Sequence, residues 1–462
     1  MKSTLLLLVY FLLSSARASN QAVLNFHHLE TSVNPLLDGQ HAYPDIIKLP
    51  HVEFPVKWLS LNFADSLDPK IKNSLIFKNE LGENIVRWIL APTELEIGPM
   101  GSSNNKYNDE IINFIRTRGG DTTLHHYFVG YPTASSTYLA EDPNSKMIFF
   151  VKSSNARAPI GLWLSKPRQI WEASDARLIN DYLVGLQQVK PFKYFTFLQE
   201  SASLQLPELD RSVIIRDAAG MVPGRKQFRY LPAFSVTDEV VGREIALKNG
   251  FDDPEKFWSE HLPKILAAAT VELSLRTGLH LDSPHGQNYL FEMDENMRLT
   301  GRLVFRDLAD MYIERSFFRL YKDRYNLKNF TQIKNIKESK ELSFVVSPLS
   351  TAGGGWATSL YNHAWLPAQE EVLDRWQRVY TAEAERIFKE ITGIDPLTLP
   401  NEYEIKYPGH KYKRTFKEGM SYSIRFDPTE KIWVEYFSKL KNQSDVHTRS
   451  RQPLSCHWLF SY

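Results

Sequence analysis

A single cysteine, Cys456, in a chain of 462 residues removes the internal disulfide and the thiolate zinc cluster from the ways this polypeptide can be held together. The fold must rest on its apolar core. With 43% hydrophobic and 13% aromatic residues the chain has the material for a large one, and its length suits two or three packed subdomains. The 55 basic residues are balanced by 54 acidic ones, so no global field draws the chain to nucleic acid or to an anionic membrane. A ligand must be recognised locally. No His-Glu-x-x-His pattern offers a zinc site either.

Residues 1–18 read as a secretory signal: Lys2, an apolar run from Leu5 to Leu13, then Ala16-Arg17-Ala18 as a small-x-small cleavage site. The run is about half of the roughly 20 residues that a membrane span needs. Cleavage before Ser19, export to the periplasm or the extracellular space, and no stable membrane insertion are therefore expected.

Behind the signal, residues 19–125 hold short mixed segments with a helix expected from Asn108 to Arg116 and stopped at Gly119-Gly120, an N-terminal lobe. Residues 126–250 change to strand-like apolar runs, such as Met147 to Val151 and Val213 to Ile215, with a helical stretch from Asp175 to Leu186. This is a sheet-bearing middle lobe. Residues 251–462 form a helix-rich C-terminal lobe. Asp253-Pro254 opens its first long helix, since Asp caps free amides and Pro suits the first turn, and Gly278 closes it. A hairpin follows, Asn288 to Glu292 and Arg302 to Phe305 around the turn Asp294-Glu295-Asn296, and a second long helix runs from Ala368 to Ile391. The fold class is α+β.

The most informative stretch is Ser283-Pro284-His285-Gly286-Gln287-Asn288, followed after the hairpin by Arg306-Asp307. It places an imidazole, two amides and a carboxylate near the two ends of one hairpin, where they can converge. Asn and Asp supply oxygen ligands suited to Mg²⁺, which shares its shell with phosphates and water; His and Arg can hold the phosphates. Read singly, the same residues satisfy backbone groups in a turn, and Arg306-Asp307 is an internal ion pair. Gly353-Gly354-Gly355 lacks the Gly-Lys-Ser/Thr ending of a phosphate loop and reads as a flexible connection.

His-Gly-Gln-Asn after a long helix, then Arg-Asp after a hairpin, resembles the signature of the siderophore synthetases that work without a peptide-synthetase template, the family related to aerobactin synthetase. The similarity extends over roughly Tyr131 to Arg315. Lys152 matches the family lysine that approaches ATP, Arg168 an arginine that follows it, and Ile215-Arg216-Asp217 is similar to an arginine-acid pair after a strand. The resemblance implies a cupped-hand fold of several subdomains whose central cleft binds ATP, Mg²⁺ and a citrate-like polycarboxylate. A carboxylate oxygen attacks the α-phosphate, pyrophosphate leaves, and an amine or alcohol captures the acyl-adenylate. By this resemblance His285, Arg306 and Lys152 are catalytic. Lys152, Arg168, Ser135, Thr137, Gln287 and Asn288 contact the nucleotide, and Asn288 and Asp307 hold the metal. The partners are small molecules rather than nucleic acid, and a homodimer is allowed.

Two departures stand out. Where the family has Ser-x-Arg-Thr before the lysine strand, this chain has Ala134-Ser135-Ser136-Thr137, and the family glutamate two places before the motif histidine is Ser283. An exported descendant that binds siderophore, citrate or nucleotide without turnover is the alternative. A kinase-like phosphotransferase is a further one, disfavoured because Gln287 stands where such enzymes place an Asp base.

Overall fold

The computed structural model describes residues 46–92 except 66, then 105–132, 137–154, 167–217, 229–233, 239–281 and 288–330; beyond these it describes 342–346, 362–363, 366–367, 370–394, 403–406, 421–426 and 436–443. The architecture is α+β and multi-lobed. Its first half alternates strands with three helices: β1 Ile47–Pro55, β2 Ser60–Phe63, α1 Pro69–Leu75, β3 Ile76–Lys78, β4 Asn84–Ile89, α2 Lys106–Thr117, β5 His125–Pro132, β6 Thr137–Glu141, β7 Ile148–Lys152 and α3 Ile170–Val189. Next come β8 Phe195–Phe197, β9 Ala202–Leu206, β10 Arg211–Asp217, β11 Arg229–Pro232, α4 Glu239–Lys248 and α5 Pro254–Thr277. The elements that finish the central region are β12 Leu279–Leu281, β13 Tyr289–Met293, β14 Leu299–Phe305, β15 Met311–Ile313 and α6 Arg315–Tyr321, and α7 Glu370–Thr392 follows.

Strands from residues 47–89 and 125–217 enter one nine-stranded sheet, ordered β2-β9-β10-β7-β6-β5-β1-β4-β3, with antiparallel pairing throughout the registers described. Alternate side chains of a strand point to opposite faces, and here each face has its own core. Tyr138, Ala140, Phe149, Val151, Val213 and Ile215 join Ile111, Phe114 and Ile115 of α2 on one side. On the other, Leu139, Ile148 and Phe150 pack against Tyr230, Leu290 and Val304. These last three belong to a four-stranded sheet, β11-β13-β14-β8, whose β14 and β8 run parallel.

The remaining face of that smaller sheet, with Phe291, Met293, Leu303 and Phe305, joins the largest core, built around α5. This helix begins where Asp253 accepts a hydrogen bond from the Lys256 amide and ends at Gly278, whose φ of 67° is left-handed. From Leu262 onward nearly every side chain is buried, including Ala267, Ala268, Ala269 and Leu273, so α5 is enclosed around its circumference, as expected of a central helix. α7 packs along it. Among the described residues no helix is long and apolar enough to cross a membrane. The expected signal segment and Gly353 to Gly355 lie outside the described residues.

Candidate functional site

The junction between the two sheets is where charged residues gather. Lys152 ends β7; opposite it stands Thr137 of β6 on one side and Ile214 of β10 on the other, while Arg216 pairs with Phe150 two residues earlier. This register puts Thr137, Lys152 and Arg216 on the face that looks toward the smaller sheet. Across the junction, the Arg306 amide donates to the Asn288 carbonyl at 3.0 Å, closing the β13–β14 hairpin at its open end. Asp307 follows immediately.

Asp307 is the meeting point. Its Oδ1 accepts from Lys152 Nζ at 2.8 Å and from the Arg216 guanidinium. The backbone there is left-handed, with φ 62°, a region sparsely populated by residues other than glycine though tolerated best by Asp and Asn. Arg216 is held from behind by Glu200, Nε to Oε1 at 2.7 Å, and both side chains are at most 2% exposed. Arg168 is stitched between strand ends: its amide donates to Ser154 Oγ at 2.8 Å and its carbonyl accepts from the Ser212 amide at 2.8 Å. Its guanidinium meets Glu172 at 3.2 Å.

The electrostatics of the group are uneven. Burial first, then the Arg168 and Arg216 guanidinium charges, push the Lys152 ammonium well below the usual lysine range, and Asp310 and Glu200 offset this only in part. Burial also lowers Arg168. The charged form of Lys152 therefore gains from any further anion brought beside it.

Of the residues singled out in the sequence, the structure brings Lys152, Arg168 and Asp307 into one electrostatic group, with Thr137 beside Lys152 on the sheet. Asn288 and Arg306, both buried, lie at the hairpin end next to it. His285, Gln287 and Ser135 lie outside the described residues, as do Ser136 and Ser283. Four members of the group were not among the sequence candidates for the site: Arg216, which the sequence offers only within Ile215-Arg216-Asp217, and Glu172, Glu200 and Asp310. Glu172 carried a usable signal, being four residues after Arg168 at a helix start. Glu200 carried none.

The donor set can be weighed against the cofactors expected. Among the described residues no group of three or more His, Cys, Asp or Glu could hold a metal. Asn288 and Asp307 offer two oxygen-bearing side chains, which suits Mg²⁺ sharing its shell with phosphate and water and does not suit a protein cage. For a nucleotide, Lys152, Arg168 and Arg216 provide cations held at the sheet junction, the residue types that hold phosphate.

In structure the chain is similar to the petrobactin biosynthesis protein AsbB of Bacillus anthracis, at 12% identity over 90% of this chain and 76% of that one, with a TM-score of 0.51. The two share a fold. The chain is also similar to the ATP-bound aerobactin synthetase IucA of Klebsiella pneumoniae, at 10% identity, 75% and 62% coverage and a TM-score of 0.47. Aerobactin synthetase IucC of the same organism gives 10%, 75% and 63%, and 0.46. The chain thus spans less than two thirds of the length of these aerobactin synthetases. No protein-family model matches it, and no curated protein matches it by sequence.

Proposed function

We propose that this protein binds ATP with Mg²⁺ and a citrate-like polycarboxylate at the junction of the two sheets, as a relative of the siderophore synthetases. It would condense the acid with an amine or alcohol through an acyl-adenylate. The observation that carries the reading is the buried cation group of Lys152, Arg168 and Arg216, of which Lys152 and Arg216 meet at Asp307. Both steps of such a condensation concentrate negative charge, first on pyrophosphate and then on AMP, and cations fixed beforehand are what lowers those barriers. Lys152 and Arg168 would face the phosphates, with His285 and Arg306; Asn288 and Asp307 would hold the Mg²⁺ that clamps them. Ser135, Thr137 and Gln287 would orient the nucleotide.

A second reading, binding without turnover, is favoured by one feature of the same group. Lys152 and Arg216 already share the Asp307 carboxylate, while Ser136 and Ser283 stand where the family has Arg and Glu. Loss of one preorganised contact costs roughly 10²- to 10³-fold in rate, about 3 to 4 kcal/mol. We expect slow adenylation. Export, proposed from residues 1–18, would place the protein where ATP is scarce and points the same way; N-terminal sequencing of secreted protein beginning at Ser19 tests it. Citrate-dependent pyrophosphate release tests the main reading. It should be slow in the wild type and rise in the double variant Ser136→Arg with Ser283→Glu. No release from either, with tight binding of an iron-siderophore, establishes the binding reading instead.

A further inference from the structure

We infer that Lys152 and Arg216 form a seat for a single oxyanion, and that Asp307 fills this seat from within, so that a ligand oxyanion enters by displacing the Asp307 carboxylate. The inference deepens the proposed function, resting on it only in bringing an anionic ligand to this junction. It begins from an imbalance of access. Lys152 and Arg216 are nearly enclosed, with side chains 7% and 2% exposed, whereas the Asp307 side chain is 20% exposed. Of the three charged groups in contact, the carboxylate is the one at the open side.

Among the described residues one oxygen takes both cations. Oδ1 of Asp307 receives both the ammonium and the guanidinium, which is how a ligand carboxylate or phosphate oxygen would be held by the same two donors. Arg216 is fixed for this purpose, because Glu200 takes its Nε and leaves a terminal nitrogen for the seat. Lys152 stands on the adjoining strand, in the register that brings both to one face.

Asp307 stands on a left-handed backbone. It sits at φ 62° and ψ 58°, directly after the hairpin and before a single turn of 3₁₀ helix, Leu308–Asp310. A left-handed residue outside glycine persists where surrounding contacts impose it, and such positions cluster at switches. Relaxing Asp307 toward an ordinary conformation would swing the carboxylate out of the seat without moving either strand.

The shared chemistry is an oxyanion, and carboxylate and phosphate are its two sources. The test titrates citrate and inorganic pyrophosphate separately, in metal-free buffer, into the wild type, Asp307→Asn and Asp307→Gly, reading affinity by calorimetry. Asn and Gly both accept a left-handed backbone, which preserves the turn while removing the competing charge. At least one anion should bind roughly tenfold or more tightly to both variants than to wild type, since each charge-assisted contact it gains exceeds a neutral one. Adding Lys152→Met should abolish the gain. The anion that responds identifies the source. The inference is overturned if folded Asp307→Asn and Asp307→Gly proteins bind both anions no more tightly than wild type, or if the gain survives Lys152→Met. A gain in variants of a protein that never binds ATP would keep the seat and remove the synthetase reading; ATP binding without any gain would do the reverse.

Discussion

Lys152 and Asp307 lie 155 positions apart in the chain and 2.8 Å apart in space. Their contact ties the end of β7 to the turn after β14 and so joins the nine-stranded and four-stranded sheets at the point where the apolar packing of Phe150, Leu290 and Val304 gives way to charge. Behind it, Glu200 anchors Arg216. The site is thus a polar margin to an apolar seam.

Arg216→Met should be strongly destabilising. Removing the guanidinium leaves Glu200 buried and uncompensated, and breaking a buried pair from one side typically costs about 3–5 kcal/mol. Glu200→Gln keeps an acceptor for Arg216 Nε and should cost less. Urea unfolding at neutral pH measures both. A loss below about 1 kcal/mol for Arg216→Met would contradict the buried-pair account.

Gly278→Ala should also destabilise, for steric reasons. At φ 67° an added Cβ would lie 2.4 Å from the ring of Phe317, which is itself fully buried. A left-handed alanine costs roughly 1–2 kcal/mol before any clash, and the total should reach about 3 kcal/mol with the overpacking. Gly250 is the control: its φ is 84° with nothing within 4 Å of a Cβ, so Gly250→Ala should show the backbone cost alone. Equal losses at the two positions would count against the Phe317 contact.

These features differ in how far the sequence announced them. The caps of α5, Asp253 and Gly278, are local chemistry and were legible, as were the β13–β14 hairpin and the helix before Gly393. Lys152 and Asp307 were named separately, yet their contact depends on how two sheets stack, which no local pattern encodes. Arg216 was named only within an arginine-acid similarity and Glu200 not at all: Glu200, just before β9, meets Arg216 because β9 pairs with β10 with Ala202 opposite Ile215, a register that no local pattern encodes. The left-handed backbone at Asp307 is a tertiary imposition.

Acid should weaken the N-terminal sheet through His51. Burial lowers its pKa from 6.5 to about 4, against the opposing pull of Glu53 and with further lowering from His125 and Arg87. The folded value lies below the unfolded one, so this contribution to stability is complete above pH 6.5 and is lost as pH falls toward about 4. Its size is ~3 kcal/mol by linkage. In His51→Leu the decline across this window should flatten, as followed by denaturant unfolding at stepped pH. An unchanged slope would show that His51 does not govern it.

The central claim is that the Lys152 group binds nucleotide, and calorimetric titration of ATP with Mg²⁺ into wild type and Lys152→Met, each checked for folding, tests it most directly. A lost charge-assisted contact of about 1.5–3 kcal/mol corresponds to roughly 10- to 100-fold in affinity. The account predicts saturable binding to the wild type and binding weaker by that factor in the variant. Absence of binding to the wild type, or equal affinity in the two proteins, would contradict it.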